Sequence, residues 1–207
     1  AGLEILRNGL DSVTDLMSLT LVRSARSSLV RNGWDFSTAL LTTDGELVGQ
    51  GISQPIHMAG MMPALQACIA RYKNNIHPGD VLANNDPYEG GSHLPDIFLF
   101  KPVFAGDTPI AFLSAMVHHV DMGGNMPGSQ AVNSTEIYQE GLRIPPLKLY
   151  DHGEPNETLF RLVEKAVRTP ELVLADLRAQ TVAIRAGEME LLRNVKKYGV
   201  EEFKEGL

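Results

Sequence analysis

The sequence predicts an α+β fold: a long N-terminal helix, an antiparallel sheet in the middle, and helices at the C-terminal end. Three observations carry this reading. The opening stretch repeats apolar residues every three or four positions. Residues 36–118 hold β-rich runs cut by Gly, Pro, Asn and Asp. From about residue 156 the helical period returns.

Each element has its own local reason. Leu3, Leu6, Leu10, Val13, Met17 and Leu21 form one stripe, so the first segment reads as a single long helix. "DFSTALLTTDGELVGQG" reads as two short strands around a Thr-Asp-Gly turn, where Gly45 accepts a positive φ. "MPALQACIARYK" reads as a short helix with Pro63 near its first turn. "GDVLANN", "DIFLFKPVF" and "IAFLSAMVHH" read as strands, the last two antiparallel across an "AGDTP" turn. Residues 121–155 carry Gly and Pro without a period and are expected to be loop. "NETLFRLVEKAVR" is a helix. Thr169 as cap and Pro170 as first helical residue open another, which Lys196, Lys197 and Gly199 close. With no repeat or low-complexity segment, residues 1–207 are expected to be one domain.

Composition narrows the function. A net charge of −7 and a pI near 5.3 disfavour nucleic acid and anionic membrane as partners. No apolar run reaches the length of a membrane span. The single cysteine, Cys68, rules out an internal disulfide and suggests a reducing cytoplasm. Lying in a helical pattern, it reads as a packed core residue rather than a nucleophile.

The chemistry gathers elsewhere. "NDPYEGGSHLPDI", residues 85–97, has neither a helical nor a strand period. Within it His93 and Asp96 stand three apart, just before the strand at Ile97. His118, His119 and Asp121 stand just after the strand that ends at Val117. If those strands pair as a hairpin, the start of one lies beside the end of the other. His93, Asp96 and one of His118 or His119 then converge at one end of the sheet. Adjacent residues on a strand face opposite ways, so only one of the two histidines joins. The other is left to orient a ligand or to satisfy a backbone carbonyl. Asp35 also stands at the start of a strand.

Two imidazoles with one or two carboxylates suit a borderline divalent cation: Mn, Zn or Fe rather than Cu. Such an ion polarises a carbonyl or activates water. Asp86, His119 and Asp121 are the candidate catalytic residues beside it. Each also has a plain structural reading. Asp86 precedes Pro87 and suits a turn, and Asp121 precedes Gly123 and suits an Asx turn. His57, in "QPIHMAGM", is left open between pocket and core. His77 and His152 read as surface-loop residues.

The blocks "DFSTALLTTDGELVGQG", "PIHMAGMMPA", "PGDVLANNDPYEGGSHLPDIFLFKPVF", "VHHVDMGGNMPGS" and "STEIYQEGLRIPP" occur in this order. Together they resemble the hydantoinase B/oxoprolinase family, from near residue 3 to near residue 200. The resemblance implies the first portion of a longer B-type subunit. It also implies an A-type partner subunit that binds Mg-ATP and phosphorylates the substrate. The B-type subunit would then hold a divalent metal and open a cyclic amide or imide such as a hydantoin, 5-oxoproline or a lactam. In the related acetone and acetophenone carboxylases it would carboxylate a ketone instead. By motif, the implied ligands are Asp35, His93, Asp96 and His118. Ser92 stands where many relatives have Thr and keeps the hydroxyl. No phosphate-cradling GxxxxGK run occurs, which fits ATP being bound by the partner.

Overall fold

The structure, a computed structural model, describes residues 2–205, with side chains described for residues 8–203. The elements run α1 (Gly2–Ser24), α2 (Ser28–Arg31), β1 (Phe36–Leu41), β2 (Leu47–Gln50), α3 (Met58–Tyr72), β3 (Val81–Asn84) and β4 (Asp96–Ala105). There follow β5 (Thr108–His118), β6 (Leu147–Asp151), β7 (Glu154–Pro155), α4 (Glu157–Ala166), α5 (Pro170–Tyr198) and α6 (Val200–Glu205). The seven strands form one antiparallel sheet in the order β2-β1-β5-β4-β3-β6-β7.

The sheet is buried on both faces, and the period of two sorts its side chains. Ile97 and Leu99 of β4, with Leu113, Ala115 and Val117 of β5, face α1 and α5. They pack there with Leu10, Val13, Met17, Leu21, Leu177 and Ile184. Phe98, Phe100, Phe112 and Met116 face the other way, onto Met61, Leu65 and Cys68 of α3. The long helices approach closely at Gly187, where an added Cβ would lie 2.5 Å from Met17 Sδ. Of the predicted stripe, Leu10, Val13, Met17 and Leu21 are buried, while the side chains of Leu3 and Leu6 lie outside the described residues. Burial also pushes the Cys68 thiol up to about 12, as suits a core residue.

The β4–β5 hairpin forms as expected. Several details differ from the sequence reading. The segment 121–155 is not all loop: β6 and β7 extend the sheet beyond β3. A five-residue strand and a two-residue edge strand, set among Pro and Gly, carry little period to detect. Helix α3 starts at Met58, running on from a 3-10 turn at Pro55–His57, so Pro63 sits inside it rather than in its first turn. Proline there forgoes one helical hydrogen bond, a loss the packing of Met61, Leu65 and Cys68 offsets. Thr169 occupies the cap position of α5, but its hydroxyl makes no capping bond. Helices α2 and α6 are additional. Among the described residues no helix is long and apolar enough to cross a membrane.

Candidate metal centre

The hairpin register builds the site. Asp96, first residue of β4, is paired directly with His118, last residue of β5. Both have even numbers, as do Phe98 and Met116, so both face the α3 side. Asp96 then acts as a hub. Its Oδ1 lies 3.0 Å from His118 Nδ1, and its Oδ2 lies 2.9 Å from His93 Nδ1. Ser92 Oγ donates to Oδ2 at 2.6 Å. The two imidazole centroids are 4.9 Å apart.

The loop that carries His93 is held before any ligand binds. Asp86 accepts from Tyr88 N at 2.9 Å and so caps the short 3-10 turn Pro87–Glu89. Gly90 ends that turn with a φ of +90°, and a Cβ there would lie 2.5 Å from the Pro63 carbonyl carbon. Only glycine fits such a place. Asn85 ties the loop to a second one: its amide donates to Leu94 O at 2.7 Å and Leu142 O at 3.1 Å, and its Oδ1 accepts from Ile144 N at 2.6 Å. Asp35 is joined through the backbone, since its carbonyl accepts from His118 N at 3.1 Å. Its carboxylate lies 3.4 Å from His57 Nε2.

The electrostatics follow from these contacts. Burial alone would raise the Asp96 carboxyl, but the bonds from His118, His93 and Ser92 outweigh it and hold the group well below the usual carboxylate range. His93 is raised, chiefly by its hydrogen bond to Asp96, against the opposing effect of burial. His57 is lowered by burial, although Asp96 and Asp35 pull the other way.

The ligand atoms of His93, Asp96 and His118 all lie within 4.8 Å of one another. Two imidazole nitrogens converging on one carboxylate are a donor set for a borderline divalent ion, so the residues fit such an ion. Asp80, Asp151 and His152 also cluster. There Lys148 Nζ already sits 2.9 Å from Asp80 and 2.7 Å from Asp151, so an ammonium supplies the positive charge.

Three of the four residues expected as ligands thus come together, and the fourth, Asp35, is joined to His118 through its backbone while its carboxylate meets His57. The expected catalytic residues do not join the cluster. His119 turns to the opposite face, wholly buried, with its Nε2 3.0 Å from Gln180 Oε1. Asp121 accepts from Gly123 N, Gly128 N, Arg168 N and Arg168 Nη1, at 2.8 to 3.1 Å, and so shapes the loop that follows β5. Asp86 is committed to its turn and to Arg143 Nε at 3.4 Å. Two neighbours of the site escape the sequence reading. His57 is left open there between pocket and core, and Gln130, whose Nε2 lies 3.1 Å from His118 Nε2, carries no signal. Both arrive from segments without a period.

Comparison with known proteins places this geometry. The family model described as hydantoinase B/oxoprolinase matches residues 1–207. The beta chain of the Pseudomonas jessenii caprolactamase is 34% identical over 202 residues, covering 98% of this chain and 35% of that one. The B component of a putative D-/L-hydantoinase from a Pseudomonas species is 32% identical over 203 residues, covering 96% of this chain and 34% of that one. The crystal structure of the ATP-dependent caprolactamase superposes with a TM-score of 0.93 over 99% of this chain, at 34% identity, and 35% of that chain is covered. A nucleotide-free acetone carboxylase structure shares the fold, with a TM-score of 0.92 at 22% identity over 98% of this chain and 28% of that one. The chain therefore spans about a third of the length of these two curated relatives. Motifs, fold and whole-chain match agree, and the chain belongs to the hydantoinase B/oxoprolinase family.

Proposed function

We propose that this chain is the metal-bearing portion of an ATP-dependent enzyme that opens a cyclic amide or imide: a hydantoin, 5-oxoproline or a lactam. An A-type partner subunit would phosphorylate the substrate with Mg-ATP, and the remainder of the B-type subunit would complete the site. The observation that carries the reading is the convergence of His93 and His118 on Asp96 at one sheet end. Asp35, His93, Asp96 and His118 would hold the cation, of Mn, Zn or Fe type. When bound, it supplies Lewis acidity toward a carbonyl or a water.

The chain's own residues prepare that place. Asp96 stays ionised across the physiological range, because three donors hold it so. Ser92 fixes the rotamer of Asp96, and Gln130 meets the far nitrogen of His118 and so orients that ring. Asn85 keeps the His93 loop from moving when an ion arrives or leaves. The names of the relatives support the amide branch, since the caprolactamase and hydantoinase chains are about a third identical. A cytoplasmic setting fits the lone buried cysteine.

The test is the purified full-length subunit with its A-type partner, assayed with ATP on hydantoins, 5-oxoproline and lactams. ATP-dependent ring opening is expected for one class. Turnover of ketones with bicarbonate, and of no amide, would overturn the reading in favour of a ketone carboxylase.

A further inference from the structure

We propose that His57 is the positioning residue of this centre, the group that aims the Asp35 carboxylate at the cation. The inference rests on the metal reading above. Asp35 needs such a group. It is not among the three residues whose ligand atoms already lie within 4.8 Å of one another. Its side chain is 35% exposed, so packing does not fix its rotamer. It follows Trp34, a non-glycine residue with a φ of +55°, so the backbone enters β1 through a tight corner. Among the described residues, the His57 ring is the one side chain within ion-pair or hydrogen-bond reach of its carboxylate.

His57 is built for the task. Asp35 and Ser37 are two apart on an extended chain, so their side chains share a face. It is the face of Ala39 and Leu41, which pack against α3. One imidazole spans both: Nε2 lies 3.4 Å from Asp35 Oδ1, and Nδ1 lies 3.0 Å from Ser37 Oγ. Ser37 is itself wholly buried, and with its hydroxyl donating to Nδ1 the neutral ring carries its proton on Nε2, facing Asp35. The ring is thus gripped at its far end by a fixed group and presents its near end to a free one. It reaches β1 from the 3-10 turn Pro55–His57 at the head of α3, which packs on β4 through Gly60 against Phe98. A carboxylate held at one oxygen keeps the other for the ion. Groups that orient a ligand in this way typically set metal affinity by roughly 10- to 100-fold.

The experiment measures metal affinity rather than turnover. The purified full-length subunit is stripped of metal and titrated with Zn2+ against a chromophoric chelator. In parallel, bound Mn2+ is followed by electron paramagnetic resonance. Wild type should bind one ion. His57→Ala should bind it roughly 10- to 100-fold more weakly, with an altered Mn2+ line shape and with the melting temperature of the metal-free protein unmoved. His57→Gln, whose amide still reaches Asp35, should recover most of the affinity. Ser37→Ala should weaken binding in the same direction and by less. Unchanged affinity in His57→Ala would overturn the proposal. So would His57→Gln binding no better than His57→Ala, since the imidazole would then itself be a ligand. Failure of wild type to bind either ion would instead sink the metal reading, and this inference with it. If His57→Ala does not fold, the comparison of His57→Gln and Ser37→Ala with wild type decides, and equal affinity in all three overturns the proposal.

Discussion

His118 ends β5 and His119 directly follows it, and the sheet sends them into opposite environments. His118 faces the α3 side, at a sheet end where Asp96, His93 and Gln130 surround it. His119 faces the helical layer, wholly buried under α5, where Gln180 receives it. Gln180 also donates to the carbonyls of Ile97 and Ala115, each at 2.9 Å, and so stitches α5 to β4 and β5. One face gathers His93, Asp96 and His118 into the proposed ion site. The other seals its histidine into a buried layer, with Nε2 held by Gln180 and Nδ1 left without a partner. The residue type is the same on both. What differs is the company: His118 lies beside a second imidazole and a carboxylate that could share an ion, while His119 has only a neutral amide.

Four experiments break or sharpen this contrast. The largest effect is expected from Gln180→Ala. It removes the Gln180 amide from the Ile97 and Ala115 carbonyls, which keep their partners in the β4–β5 ladder, and leaves His119 Nε2 without its partner in a buried layer. With three hydrogen bonds lost at about 1 kcal/mol each, a loss of about 3 kcal/mol in denaturant-induced unfolding is expected. A loss below about 1 kcal/mol would show that water reaches the layer.

On the other face, Asp96→Ala should leave folding nearly intact and remove the metal site. Calorimetry should show ion affinity lower by at least about 100-fold, or about 2.7 kcal/mol. Circular dichroism should be unchanged, because His93 stands at the rim, 44% exposed, and can turn to water.

The two faces should also answer pH with opposite sign. His119 is lowered by burial, so the unfolded chain takes up a proton before the folded one does. Its contribution is complete above the ordinary value near 6.5 and is lost as pH falls below it. His93 is raised, so its bond to Asp96 stabilises the metal-free protein fully below that value. That contribution is lost as pH rises through the elevated folded value. Unfolding of metal-free wild type and His93→Ala between about pH 5.5 and 8 reads the difference directly. The variant should lose the alkaline decline and keep the acid one.

The smallest effect is expected from Arg168→Gln. Arg168 holds the carbonyls of Gly123, Gly124 and Met126, together with Asp121. It is partly exposed, so the stability cost should stay near about 1 kcal/mol. Limited proteolysis should nonetheless open residues 122–130 first.

Much of this contrast is legible in the residues. Alternation along "DIFLFKPVF" and "IAFLSAMVHH" marks two strands, and the hairpin between them places Asp96 beside His118. The same period of two says that His118 and His119 part company. It does not say which goes where. That choice depends on Gln180, which lies 61 residues from His119. The family motif does select His118. The roles of Asp86 and Asp121 stay open in the sequence for a similar reason. An aspartate before Pro or Gly looks the same whether it caps a turn or faces a substrate, and only Arg143 and Arg168, far along the chain, settle what each touches here. His57 and β6 go unread because neither lies in a periodic segment.

The direct pairing of Asp96 with His118 also limits how the hairpin can change its length. A shift of one residue between β4 and β5 would swap the two faces, moving His118 under the helices and bringing His119 to the proposed ion site. The register already breaks once, between Val103 and Phe104, close to the Gly106 turn. Insertions and deletions can therefore accumulate at the tip, beyond that irregularity, while the stretch from it back to Asp96 must keep its count through every generation of the gene.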